Sequence, residues 1–141
     1  MATESSASTI WRGSLEHGSG TTHPESGAFP DVEVTWASRT SRSAGKTSPE
    51  ELLAAAHASC YCMALSLELS EAGNEPEQLT AAATVGFVPG EGVTGSHIVV
   101  HGRVPGIDQA QFEEAAQSAG RNCPISAALS IEISVDATLE S

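Results

Sequence analysis

With 141 residues, 40% of them hydrophobic, and only three cysteines, the chain has the size of one globular domain with a real core and not the makeup of a disulfide-stapled scaffold. Six Lys plus Arg against eighteen Asp plus Glu give a net charge of -12, a field that repels phosphate backbones and anionic membrane surfaces, so neither nucleic acid nor membrane is expected as a partner. The opening MATESSASTI lacks the basic and apolar regions of a secretory signal, and a reducing cytoplasm is the expected compartment.

The Ser/Thr-rich residues 1–9 read as flexible. TIWRGSLEHGSGTTHPESG then reads as two short strands around a Gly-Ser turn at 17–20, and DVEVTW places Val32, Val34 and Trp36 on one strand face, which together suggest an antiparallel N-terminal sheet. ASRTSRSAGK, residues 37–46, is polar and without period, and reads as a loop.

The best-marked boundary follows. Ser48 is placed as an N-cap, Pro49 as the N1 residue that needs no N–H donor, and Glu51 as the N3 partner of a capping box, with Glu50 in the first turn. Leu53, Ala56, His57, Cys60, Met63, Ala64 and Leu67 follow helical spacing, the opposite side is also small or apolar, and Gly73 is the expected stop. The uncharged run from Leu52 to Leu67 is short for a bilayer and contains His57, Ser59 and Ser66, so it reads as a central core helix.

QLTAAATVGFVPGEGVTGSHIVVHGRVPG reads as two strands joined by a Gly/Pro-rich connection at 89–95. Asp108 with Gln111 caps a second helix through about Ala119, with Gly120 as its stop, and Pro124 makes Cys123 the N-cap of a short third helix. Ile131, Ile133, Val135, Ala137 and Leu139 alternate with polar residues in a final strand. This order of elements predicts a single α+β domain.

Three thiols invite chemistry. Residues two apart on a helix point about 200° apart, so Cys60 and Cys62 face different ways and cannot bridge one another without unwinding the helix. Either of them reads as a small buried hydrophobe or as a reactive thiol. Cys123, at a helix N-terminus, is favoured as a thiolate by the backbone dipole, or else is a poor N-cap in a tight turn. A nucleophilic Cys in an apolar helix needs a nearby cation, and spacing does not choose among Arg12, Arg39, Arg42, Lys46, Arg103 and Arg121.

His57 and Cys60, one turn apart, raise the question of zinc, but no CxxC or HExxH supplies further ligands. A papain-like pairing of the same two residues has no evident oxyanion hole. His97 and His101 share a strand face about 13 Å apart, too far for one ion. No GxGxxG or GxxxxGK[ST] loop is present.

KTSPEELLAAAHASCYCMALSLEL, with NCPISAAL some sixty residues later, closely resembles the OsmC branch of the OsmC/Ohr hydroperoxide reductases. IWRGSL, ESG, VPGID and the alternating final strand match as well, so the resemblance covers nearly the whole chain. It implies an α+β fold with antiparallel sheets around a central buried helix, an intertwined homodimer, and reduction of organic hydroperoxides by two cysteines without metal or bound cofactor. It implies roles residue by residue: Cys60 peroxidatic, Cys123 resolving, Glu50 the acidic partner, and Arg39, with Arg42 close by, the arginine that holds the thiolate. Cys62 departs from the family pattern, where a serine or another small residue is expected.

On this reading an external dithiol, of lipoyl type by family resemblance, reduces the Cys60–Cys123 disulfide. Ten helical residues rise about 15 Å, so Glu50 reaches the neighbourhood of a Cys60 either through an irregular helix start or from the other subunit. The alternative is a non-catalytic dimer that uses the same fold to bind a hydrophobic ligand.

Overall fold

The computed structural model describes residues 2–42 and 45–140, and the chain forms two compact units, Met1–Leu52 and Leu53–Ser141.

In the first unit, strands β1 (Ala7–Arg12), β2 (Ser19–Pro24) and β3 (Val32–Val34) form an antiparallel sheet in the order β1-β2-β3. Opposed Thr9 and Thr22 join their hydroxyls at 2.8 Å. Gly20 faces the Trp11 ring and Val34, where a Cβ would come within 2.8 and 2.9 Å of their atoms, so this strand position admits no side chain. Two expectations shift here. The stretch expected to be flexible contributes Ala7–Thr9 to β1, because their backbone pairs with Thr22–Pro24. The turn occupies 13–18, since Ser19 and Gly20 belong to the ladder.

The segment 37–46, expected as a loop, begins helically: α1 spans Trp36–Thr40, taking Trp36 out of strand β3. Thr35 is its N-cap, its side-chain oxygen accepting the Ser38 N–H at 3.0 Å, a local signal that outweighs the missing apolar period. Residues 43 and 44 of that segment lie outside the described residues. Thr47 then bridges in parallel to Val34 and donates its N–H to Glu33 O.

Helix α2 runs from Pro49 to Glu71. Half of the expected capping box forms: Ser48 Oγ accepts the Glu51 N–H at 3.1 Å, but the Glu51 carboxylate turns to the Thr47 hydroxyl instead of the cap backbone. The helix stops as expected around Gly73 at φ +87, with Asn74 N–H on Leu69 O and Gly73 N–H on Ser70 O, the pairing of a Schellman end.

In the second unit, β4 (Gln78–Val88), β5 (Gly92–Arg103) and β6 (Glu132–Leu139) form a sheet in the order β4-β5-β6. The β4–β5 hairpin is antiparallel and turns at 89–91, tighter than the expected connection at 89–95. Strand β6 runs parallel to β5, so this sheet is mixed where antiparallel sheets are expected.

Helix α3 (Gln109–Asn122) has the complete Asp108/Gln111 capping box. It continues through Gly120, whose role is close packing: a Cβ there would lie 2.7 Å from Val135 Cγ2. Gln109 and Gln117 on α3 also satisfy outward backbone groups of β6 at Ala137, Leu139 and Val135. Helix α4 (Pro124–Ala128) starts at Cys123 with Pro at its first turn, as expected.

The core of this unit gathers Tyr61, Leu65 and Leu69 of α2, Ile98 and Val100 of β5, Phe112, Ala116 and Ala119 of α3, and Val135 of β6. The Tyr61 hydroxyl donates to Ala116 O at 2.9 Å, so the ring is buried without an orphaned polar tip. The buried stripe of α2 is therefore His57, Tyr61, Leu65 and Leu69, and Met63 and Leu67 of the expected face are 73% and 59% exposed. A helix apolar on most sides has no strong moment to select a face, and Tyr61, with the largest area to hide and a carbonyl to reach, sets the stripe.

Candidate active site

Within the first unit α1 and the first turn of α2 bring Arg39 to Glu50. Arg39 Nε donates to both carboxylate oxygens at 3.0 and 3.1 Å, and Nη2 donates to Oε2 at 2.9 Å. The Glu50 side chain is only 7% exposed and that of Arg39 30%, so the carboxylate is committed to the pair. The Trp36 ring lies 6.0 Å from the guanidinium carbon and limits its swing. Arg42, the other arginine considered from sequence, is exposed and sits at φ 59 beyond the end of α1.

Within the second unit α2 and the α3–α4 junction bring Cys60 to Cys123. The two thiols are free and lie close enough for each to shift the ionisation of the other, Cys123 fully buried and Cys60 half-buried. Burial pushes the Cys60 thiol up, the neighbouring Cys123 adds to this, and the Ile125 N–H opposes it more weakly. Burial also works against a Cys123 thiolate, but the Ser126 N–H, the Cys60 thiol, the Ser126 hydroxyl and the Ile125 N–H together hold Cys123 below the ordinary thiol value. Within this unit charge is thus favoured on Cys123, and a thiolate on Cys60 needs a cation from elsewhere.

Cys62 faces away from this pair, as the helical spacing requires. It approaches the backbone of Ala81, burial pushes its thiol up, and it lines an open groove of about 630 Å³ with Met63, Leu67 and Leu79.

The residue whose setting the sequence does not foretell is His57. Its Nδ1 lies 2.6 Å from Ser96 Oγ and its Nε2 lies 2.7 Å from Ser126 Oγ, both nitrogens being committed to hydroxyls of distant segments. Burial lowers its basicity, so the imidazole is neutral at pH 7. These bonds occupy the ring atoms that zinc ligation or a papain-like Cys60–His57 pair would use. His97 is instead an exposed side chain bonded to Ser134 and Asp136, and His101 lies beside Glu140.

The arrangement offers two chemical parts: a carboxylate-held guanidinium able to stabilise an anion, and two thiols already close together, able to become a disulfide. Comparison with known proteins agrees in kind. The sequence profile of the family described as OsmC-like protein matches residues 42–138. Peroxiredoxin OsmC of Escherichia coli (strain K12) is 38% identical over 134 residues, 93% of this chain and 93% of that one.

In three dimensions the chain is similar to an OsmC like protein from Mycoplasma pneumoniae, with a TM-score of 0.74 at 16% identity over 100% of both chains. It is also similar to the organic hydroperoxide resistance protein OhrB of Bacillus subtilis, with a TM-score of 0.67 at 22% identity, covering 96% of this chain and 98% of that one. A family match over most of the sequence, joined to a full-length relative at this identity, means that the chain belongs to the OsmC-like protein family.

Proposed function

We propose that the chain is a cysteine-based peroxidase that reduces organic hydroperoxides to alcohols. The observation that carries the reading is the proximity of Cys60 and Cys123: two free thiols from segments 63 residues apart, brought together in one site where each shifts the ionisation of the other. The full-length relative named as a peroxiredoxin supports the same class of chemistry.

The Cys60 thiolate attacks the terminal peroxide oxygen, the O–O bond breaks, the alkoxide leaves as alcohol, and Cys60 becomes a sulfenic acid. Cys123 then attacks the Cys60 sulfur, forming the disulfide and releasing water. An external dithiol, of lipoyl type by analogy with the family, restores both thiols. No metal or bound cofactor enters this scheme.

Arg39 is assigned the anion-stabilising role, because Glu50 holds its guanidinium in one orientation by two-point, charge-assisted hydrogen bonds. It answers the need of Cys60, whose own surroundings push its thiol up. The rise of about 15 Å over ten helical residues argues that the Arg39–Glu50 pair serving a given Cys60 comes from the other subunit of a homodimer. Exposed Met63 and Leu67 on α2 supply apolar surface for such a dimer.

Turnover of cumene or tert-butyl hydroperoxide with a dithiol tests the function. Alcohol formed in step with dithiol consumed is expected; a protein that binds the peroxide and never reduces it would instead be a hydrophobic-ligand-binding dimer of this fold. Cumene hydroperoxide is expected to outcompete hydrogen peroxide, since Ala56, Met63 and Ala64 flank Cys60 on α2 with apolar surface.

A further inference from the structure

The imidazole of His57 is fully buried, and so are its two partners, Ser96 and Ser126, which are 2% and 6% exposed. A neutral ring donates from one nitrogen and accepts at the other, so the chain Ser96–His57–Ser126 has two states. With the proton on Nδ1, the ring donates to Ser96, accepts the Ser126 O–H, and leaves the Ser126 oxygen free to accept the Cys123 S–H. With the proton on Nε2, the ring donates to Ser126, whose own O–H is then free to donate to a Cys123 thiolate. The line of bonded groups does not end in solvent: Ser126 stands in the first turn of α4, three residues after its cap Cys123, near enough for its hydroxyl to favour the Cys123 thiolate, and Cys60 lies beside that thiol.

We propose that His57, acting through the Ser126 hydroxyl, takes the Cys123 proton and so prepares this thiol to attack the oxidised Cys60. The inference rests on the peroxidase reading above. In the resolving step the Cys123 proton passes to Ser126 Oγ as the Ser126 proton passes to His57 Nε2. The Cys123 sulfur then forms the S–S bond, the Cys60 S–O bond breaks, and the departing hydroxide takes a proton back from His57 through Ser126 and leaves as water. Cys123 is oxidised, the sulfenic Cys60 is reduced, and His57 ends neutral.

Few ionisable groups compete. Cys60 and Tyr61 lie on the same helix, Cys123 sits at the α3–α4 junction, and Arg121 lines the cavity of about 260 Å³ that Ser126 also borders. Strands β5 and β6 face inward with Ser96, Ile98, Val100 and Val135, none of them ionisable. Ser126 is the group beside a reacting atom; His57 is a positioning and proton-holding residue one bond removed.

The test separates the two chemical steps in a Cys62→Ser background. After rapid mixing with cumene hydroperoxide, loss of the Cys60 thiol and appearance of the disulfide are followed by quenched alkylation and mass spectrometry. His57→Gln keeps hydrogen bonding but cannot hold a proton, and Ser126→Ala cuts the link. Both are expected to slow disulfide formation about 10²- to 10⁴-fold, the range of general acid–base assistance, with Cys60 oxidation changed less than about threefold. Ser126→Thr, which keeps the hydroxyl, is expected to recover most of the rate.

The pH profile gives a readout that a structural staple would not move: the resolving rate of the parent levels off above the titration of His57, whereas that of His57→Gln keeps rising with Cys123 ionisation. Resolution within about threefold of the parent in both His57→Gln and Ser126→Ala, with an unchanged profile, would overturn the relay. Should His57→Gln not fold, the Ser126→Ala and Ser126→Thr pair decides alone. Absence of Cys60 oxidation in every protein would instead overturn the peroxidase reading. The relay is then judged by iodoacetamide alkylation of Cys123 against pH in Cys60→Ser/Cys62→Ser, where a higher apparent pKa after Ser126→Ala supports it and an unchanged one refutes it.

Discussion

Arg39 grips Glu50 at two points, Nε at 3.0 Å from Oε1 and Nη2 at 2.9 Å from Oε2, across eleven residues of sequence. The pair holds a guanidinium in one orientation and leaves the carboxylate nowhere else to go. Arg39→Ala therefore has two effects. Peroxide reactivity of Cys60 is expected to fall at least tenfold as its thiol loses the stabilising cation, and Glu50 is stranded. Because Arg39 is 30% exposed, the stranded carboxylate is expected to cost about 1–2 kcal/mol, below the full penalty of a broken buried pair. Arg42→Ala is expected to change neither property. Peroxide consumption and urea midpoints of the two variants check this, and the reverse ranking would reassign the arginine.

Burial of His57 makes stability depend on pH in a defined direction. Its folded pKa is lowered from 6.5 by burial, so the unfolded chain binds the extra proton first. The contribution is fully present above pH 6.5 and is lost as pH falls from there through the folded value. Urea midpoints at pH 7.5 and 5.5 are expected to drop for the parent and to drop less for His57→Gln. His23 works the other way, its pKa being raised by the hydrogen bond and charge of Asp31, but it is common to both proteins and cancels in the comparison. An equal drop in the two proteins would remove His57 from the account.

Gly102 of β5 is held bare by the core. A Cβ there would sit 2.5 Å from Phe112 Cζ, and the Phe112 ring is completely buried with no room to retreat. Gly102→Ala is expected to destabilise by about 1–3 kcal/mol, the cost of overpacking, despite the better backbone propensity of alanine. A lower urea midpoint with an unchanged slope checks it; a neutral or stabilised protein would show that the α3–β5 packing is looser than described.

The exposed apolar side of α2 predicts self-association. Sedimentation at micromolar concentration is expected to give twice the 14.5 kDa chain mass, and Leu67→Asp to shift the protein toward the monomer. If the assembled dimer also completes the site, Leu67→Asp lowers peroxide turnover although it touches no thiol. A stable monomer with full activity would contradict both statements.

Much of the fold is legible where a single residue type has one local use. Asp108 with Gln111, Pro124 after Cys123, and Gly73 at positive φ each mark a helix end by chemistry confined to one turn, and the structure has each where the pattern puts it. The final strand is legible because its alternation has a single buried side. Legibility fails where a distant neighbour decides. Gly120 looks like a stop, yet it is a contact point for Val135, fifteen residues away. Trp36–Thr40 is helical through the Thr35 cap, with no apolar period to announce it.

The site divides in the same manner. The cysteines and the Arg39–Glu50 pair follow from motifs that resemble a family, whereas Ser96 and Ser126 lie 39 and 69 residues from His57. No spacing rule connects a helical histidine to a strand serine and to a serine on a different, short helix. Only the assembled core shows that His57, which reads from sequence as a zinc or papain-like candidate, is bonded to two hydroxyls, one of them beside Cys123.

The central claim is that Cys60 and Cys123 form the redox pair and that Cys62, facing Ala81 on another side of the helix, does not take part. Disulfide mapping after one equivalent of cumene hydroperoxide, with no reductant present, tests it most directly. The account predicts a single Cys60–Cys123 bridge, with Cys62 still alkylatable once the chain is unfolded. Cys123→Ser is then expected to trap Cys60 as sulfenic acid and Cys62→Ser to retain most of the activity. A dominant Cys62–Cys123 bridge, or a folded Cys62→Ser protein that no longer consumes peroxide, would contradict it.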